Sequence, residues 1–178
     1  MTTLKIDDYI FEPYIDRKQI SERARDIAAE MTNAEFDKKP VFLVIMTGAY
    51  VFAADLLRLL NFTCEVRFIR VKSYAGMQST GHFQIESDRL ENLEDRNVII
   101  LEDIVDTGRT ITKIKEVLAT KSPKTIKICS LLSKPSAHLS PIDIAYLGFE
   151  IPDEFVIGFG LDYNDQGRNL PDIWKVKP

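Results

Sequence analysis

Glu102 and Asp103 stand side by side, and Asp106-Thr107-Gly108-Arg109-Thr110 follows after two apolar residues. Gly108 allows a tight backbone turn. Where a helix starts beyond such a turn, its first N–H groups have no partners of their own. With the helix dipole they form a seat for an anion, and the Thr107 and Thr110 hydroxyls add donors. Carboxylates beside an anion make sense when they bind something else. Ribose hydroxyls can donate to Glu102 and Asp103, and a Mg²⁺ ion would reconcile acid with phosphate. The implied chemistry is the binding of a phosphorylated sugar. The plainer alternative is a solvated loop in which Asp106 is only a helix N-cap.

These residues need a strand before them and a helix after them. Val98-Ile99-Ile100-Leu101 is an apolar run without alternation, as in a parallel strand buried on both faces, and the acid pair forms its tip. From Ile111 the apolar spacing turns helical through Ile114, Val117 and Leu118. Ligands in open α/β sheets collect at such strand ends. A second junction repeats the plan. Val41–Met46 is a fully apolar strand, Thr47-Gly48 ends it, and residues 49–60 form a helix that Asn61 terminates in the left-handed conformation. Its glycine turn suits an anion such as pyrophosphate.

Asp16 opens an earlier helix with Gln19 at capping-box spacing, and Ile20, Ala24, Ile27, Ala28 and Met31 make its apolar stripe. Residues 6–15 read as an irregular arm or short edge strand. Further strands are expected at 64–74, 83–85, 124–132, 142–149 and 155–159, and the tail from Gly160 is polar before it closes with Trp174. Between 74 and 83 lies AGMQSTGH, either a hairpin loop or a lid that excludes water when it closes. The alternation predicts an α/β chain, a mainly parallel twisted sheet flanked by helices, in a single domain over residues 1–178.

The 178 residues suit one domain, with 45% apolar and 28% charged residues. A net charge of −4 argues against a general nucleic-acid partner, which needs a basic face. No segment reaches the length of a membrane span, and the N-terminus lacks a signal-peptide pattern, so a cytoplasmic protein is expected. Cys64 and Cys129 read as reduced, buried thiols. His82 and His138 lack metal-ligand spacing and are given no role.

The stretch LEDIVDTGRT resembles the phosphoribosyl-diphosphate (PRPP) signature of the type I phosphoribosyltransferases; it lacks the endings of a Walker loop or a dinucleotide fingerprint. The resemblance implies that family's fold, with a small hood subdomain and a mobile loop. It implies that Glu102 and Asp103 hold the ribose hydroxyls and Mg²⁺, while Asp106, Thr107, Gly108, Arg109 and Thr110 cradle the 5′-phosphate. Thr47 and Gly48 would contact pyrophosphate, often through a non-proline cis peptide, here near Met46-Thr47. The family often carries Lys or Ser at the position of Thr47 and Gly at that of Ala49. Ser73 and Tyr74 would cap the closed site with the lid.

Over nearly the whole chain, KSYAGMQSTG, LEDIVDTGRT, LLSKP, IPDEFVIGFGLDYN and Arg168 match the hypoxanthine–guanine phosphoribosyltransferases. By that resemblance the purine site holds Lys134, Phe155, Val156 and Asp162. Lys134 donates to the 6-oxo group, Phe155 stacks on the ring and Val156 pairs its backbone with the base edge. Asp162 also helps hold Mg²⁺ on pyrophosphate, which Arg168 contacts. Asp106 lies between the ribose acids and the phosphate seat and can reach the attacking base as general base. The expected reaction is a glycosyl transfer in purine salvage: PRPP with hypoxanthine or guanine gives IMP or GMP and pyrophosphate. The expected assembly is a homodimer or homotetramer. Runner-up readings are a transferase for xanthine, uracil or adenine, and a non-catalytic regulator that senses PRPP.

Overall fold

A computed structural model describes residues 3–177 apart from 35, 37, 74–82 and 86. Two strands, β1 (Leu4–Ile6) and β2 (Tyr9–Ile15), open the chain as an antiparallel pair, so the expected arm is regular structure. The first helix, α1 (Arg17–Thr32), begins with the expected reciprocal cap. The Gln19 N–H donates to Asp16 (2.8 Å), and the Asp16 N–H donates to the Gln19 side chain (3.0 Å). Its buried residues are the five of the expected stripe.

Next come β3 (Val41–Met46), α2 (Tyr50–Leu57), β4 (Glu65–Ser73), β5 (Phe83–Ile85), β6 (Asn97–Val105), α3 (Arg109–Ala119), β7 (Thr125–Ser133) and β8 (Tyr146–Glu150). They build a six-stranded sheet of order β5-β4-β3-β6-β7-β8. All neighbours are parallel except the β4–β5 pair. Helices cover both faces, which is why the central strands lack alternation. Phe42, Val44, Ile99 and Leu101 pack with α1 and α2, while Leu43, Val98 and Ile100 pack with α3.

The chain ends in β9 (Val156–Ile157) and β10 (Ile173–Val176), which join the first two strands in a sheet of order β1-β2-β10-β9. This antiparallel hood has its own core around Ile6, Phe11 and Ile157. No helix among the described residues is long and apolar enough to cross a membrane. Both cysteines are free, Cys129 buried and Cys64 half-buried.

Four expectations change. The acid pair is not a tip beyond the strand. Pairing with β7 continues through Glu102↔Ser130 to Val105↔Ser133 and draws both acids into β6. The second helix stops at Leu57, where a Leu59 N–H to Leu56 carbonyl bond (3.0 Å) tightens the last turn. Asn61 does not terminate it in the left-handed region; its side-chain oxygen accepts from the Thr32 hydroxyl instead (3.1 Å). The strand expected from Ile142 starts at Tyr146, because Ile142 and Ile144 leave the ladder to pack beside α3. The polar tail ends in β10, a strand that was not expected.

Candidate active site

The carboxyl ends of β3, β6 and β7 are neighbours in the parallel sheet, so the segments leaving them converge. Alternation along β6 sends Asp103 to the side of α2 and Glu102 to the opposite side. Asp103 fills the space a side chain at position 48 would need: a Cβ on Gly48 would lie 1.6 Å from Asp103 Oδ2. Gly48 is thus the residue that lets Asp103 and the loop after β3 touch.

Glu102 is only 6% exposed. Burial, reinforced by the negative charge of Asp103, pushes its carboxyl well above the usual carboxylate range. A folded-state value raised in this way favours folding while the group is protonated, and the benefit is lost as pH rises through the folded value. Glu102→Gln cannot ionise. It is expected to raise the melting temperature of the ligand-free protein at pH 8, with the gain shrinking toward pH 5. Scanning calorimetry at the two pH values checks this, and a pH-independent difference would mean that Glu102 is charged throughout.

The turn after β6 is built for an anion. Gly108 adopts φ +82° and is itself the N-cap of α3, with no side-chain cap bond, so the first amides of the helix stay open. Asp106 is therefore not the helix cap that the plainer reading made it. A Cβ on Gly108 would meet Ile142 Cδ1 at 2.0 Å, so the turn is closed from behind as well as strained for other residues. Thr107 and Arg109 are exposed around it and Thr110 half-buried.

On the β3 side the Met46–Thr47 peptide is cis, where the resemblance placed it. Gly160 (φ +102°) packs on this loop so closely that a Cβ there would lie 2.1 Å from the Gly48 carbonyl. Arg168 Nη1 donates to the Gly160 carbonyl (2.8 Å), which brings the guanidinium beside the Thr47–Gly48 turn. Its Nη2 pairs with Asp162 at 2.7 Å.

The expected purine residues come from the end of β7 and from the hood. Lys134, 6% exposed, follows β7 and donates to Asp106 Oδ2 (3.2 Å) and Asp153 Oδ1 (3.1 Å). An ammonium has three N–H donors, so one remains for a ligand. Phe155 is 43% exposed, and Val156 is buried in β9. The Val176 N–H donates to the Phe155 carbonyl (2.9 Å), which makes Val156↔Lys175 a non-hydrogen-bonded pair. The N–H and carbonyl of Val156 consequently point off the ladder, and β9 is an edge strand. Asp153 and Gly160 had no role in the sequence reading. Their signal lay inside IPDEFVIGFG but depends on distant contacts.

Ser73 is the last residue of β4; Tyr74, His82 and the rest of the expected lid lie outside the described residues. Glu102, Asp103 and Asp162 do not gather into one metal site. Among the described residues no group of three or more His, Cys, Asp or Glu side chains could hold an ion. Single carboxylates still suit Mg²⁺, which commonly takes one or two protein carboxylates and completes its shell with phosphate oxygens and water.

An open parallel sheet with an acid pair inside its middle strand, an uncapped glycine-turned helix start and a small hood over the strand ends defines the class: a type I phosphoribosyltransferase. The family described as "Phosphoribosyl transferase domain" matches residues 14–164. The hypoxanthine phosphoribosyltransferase of Buchnera aphidicola is 39% identical over 91% of this chain and 93% of its own. The hypoxanthine-guanine-xanthine phosphoribosyltransferase of Tritrichomonas foetus is 37% identical over 99% and 97%. A crystal structure of a Staphylococcus aureus hypoxanthine phosphoribosyltransferase superposes with a TM-score of 0.87 at 36% identity, covering 94% of this chain and 91% of that one. The chain belongs to the phosphoribosyltransferase family, among the hypoxanthine phosphoribosyltransferases.

Proposed function

We propose that the chain transfers the 5-phosphoribosyl group of PRPP to hypoxanthine and guanine, yielding IMP or GMP and pyrophosphate in purine salvage. The observation that supports the base assignment is Lys134, a nearly buried ammonium held by Asp106 and Asp153 that keeps one N–H to donate to a 6-oxo group. An amino group there, as in adenine, would leave a buried donor unpaired. Phe155 offers its exposed ring for stacking, and the edge backbone of Val156 offers one donor and one acceptor.

On the sugar side, the open amides of α3 with Thr107 and Thr110 receive the 5′-phosphate, and Glu102 and Asp103 accept from the ribose hydroxyls. Thr47, Gly48 and Arg168 hold the departing pyrophosphate. Glu102 and Asp103 on the ribose side and Asp162 on the pyrophosphate side are the residues that would hold Mg²⁺, at separate places, and the metal would supply charge neutralisation to the diphosphate when bound. Charge builds on the ribose as the diphosphate leaves, as in glycoside hydrolysis. Asp106 accepts the proton that the purine's imidazole ring gives up. A cytoplasmic setting belongs to the same reading, as does self-association into a dimer or tetramer. Val66 and Phe68 on β4, with Tyr50 on α2, are exposed apolar residues available for that contact.

The test is direct. Purified protein with PRPP, Mg²⁺ and hypoxanthine is expected to release IMP and pyrophosphate, with guanine as a second substrate and adenine poor. PRPP binding without turnover on any base would identify a sensor instead. Turnover restricted to xanthine, uracil or adenine would reassign the base.

A further inference from the structure

Phe155 is exposed, yet its ring packs against two others. The ring of Tyr163 stands at 86° to it with centroids 5.7 Å apart, and wholly buried Phe11 lies at 6.4 Å and 48°. Tyr163 is itself held at 84° by Tyr9, with centroids 5.2 Å apart. Its backbone exchanges two hydrogen bonds with Gln166 (3.0 and 2.9 Å). The side chains of Asn164 and Gln166 both donate to Asp7, in the turn between β1 and β2 (3.3 and 3.4 Å). Four rings and a clamped loop thus run from the outer hood to Phe155.

Edge-to-face contacts align the positive rim of one ring with the negative face of another, so they fix a plane as well as bury area. A stacking platform needs that: a base meets the whole ring only when the plane is set beforehand, and presetting it removes an ordering loss from binding. Tyr163 also sits beside Asp162 in the hairpin that carries Arg168, so the same loop serves both ends of the site.

We propose that Tyr163 is a positioning residue that fixes the plane of Phe155 for the purine ring. The proposal rests on Phe155 being the stacking surface in the proposed function. Tyr163 acts through Phe155 and touches no reacting atom.

The test is steady-state kinetics with hypoxanthine and PRPP varied separately, and a thermal melt of each variant. Tyr163→Leu keeps apolar bulk in the hood and removes the ring edge. It is expected to raise the hypoxanthine KM about three- to tenfold, with kcat and the PRPP KM within about twofold of wild type. Tyr163→Phe retains the edge and is expected to keep the wild-type hypoxanthine KM. On a Phe155→Leu background, Tyr163→Leu is expected to have no further effect, the signature of action through one partner. Tyr9→Leu, at an exposed ring, should give the same pattern more weakly and serves if Tyr163→Leu does not fold.

An unchanged hypoxanthine KM in Tyr163→Leu overturns the proposal. So does a joint rise of the hypoxanthine and PRPP KM, which marks general support of the loop, or a Tyr163→Phe variant as impaired as Tyr163→Leu. If Phe155→Leu alone leaves the hypoxanthine KM unchanged, the stacking reading itself fails. If Phe155→Leu is impaired and Tyr163→Leu is not, only the role of Tyr163 fails.

Discussion

Asp106→Asn is expected to lower turnover by about 10²- to 10⁴-fold, the range a positioned general base contributes, while the PRPP KM stays within a few-fold of wild type. The split follows from the geometry. In the proposed function PRPP is gripped by Glu102, Asp103 and the open amides of α3, and none of these needs the Asp106 side chain. Gly108 is the helix cap, so the substitution does not unmake α3. Asparagine is nearly isosteric with aspartate, and its oxygen can still accept the Lys134 hydrogen bond now found at 3.2 Å. What it cannot do is accept a proton from the base. Steady-state kinetics with each substrate varied reads both quantities. Equal losses in turnover and PRPP affinity would show that Asp106 shapes the loop and does no chemistry.

The residues of this site differ in how visible they were. Val41–Met46, the α1 stripe and the glycine turn at 108 were legible because each is a local pattern: an unbroken apolar run, a helical period, a turn residue before a helix. The hood was legible only through the family resemblance. Its four strands are short, and β2 pairs locally with β1 but finds its other neighbour only in β10, with Ile15 opposite Ile173, so no window of sequence contains the whole sheet. The extension of β6 through the acid pair was hidden for a related reason. Charged residues read as a strand end, but the β7 ladder carries the backbone on, and the low dielectric of that position is what raises the Glu102 carboxyl.

Contacts between elements were the least legible of all. Asp153 follows a proline in a loop and looks solvated, yet it shares the Lys134 ammonium with Asp106 across 47 positions of chain that the sequence gives no reason to bring together. Gly48 read as the glycine of an anion-binding turn and Gly160 as the start of a polar tail, with no reason to meet. Their need for hydrogen in place of a side chain comes from Asp103 and from each other.

Lys134 is the residue whose replacement should change what the enzyme accepts. Its Nζ lies between two carboxylates, and in the proposed function the third N–H is the donor left for the base. Losing a hydrogen bond from a charged donor removes about 1.5–3 kcal/mol, so Lys134→Ala is expected to lower kcat/KM for hypoxanthine by about 10- to 100-fold. Adenine lacks the 6-oxygen and has nothing to lose, so the preference for hypoxanthine over adenine should narrow by a similar factor. Lys134→Gln sharpens the point. Its amide oxygen can accept from adenine's amino group, whereas alanine offers nothing, so adenine turnover should be higher in Lys134→Gln than in Lys134→Ala. Competition assays with the two bases and PRPP measure the ratio directly. An unchanged ratio in both variants would mean that selectivity is set elsewhere, by the hood backbone around Val156, and that Lys134 serves only to hold Asp106 in place.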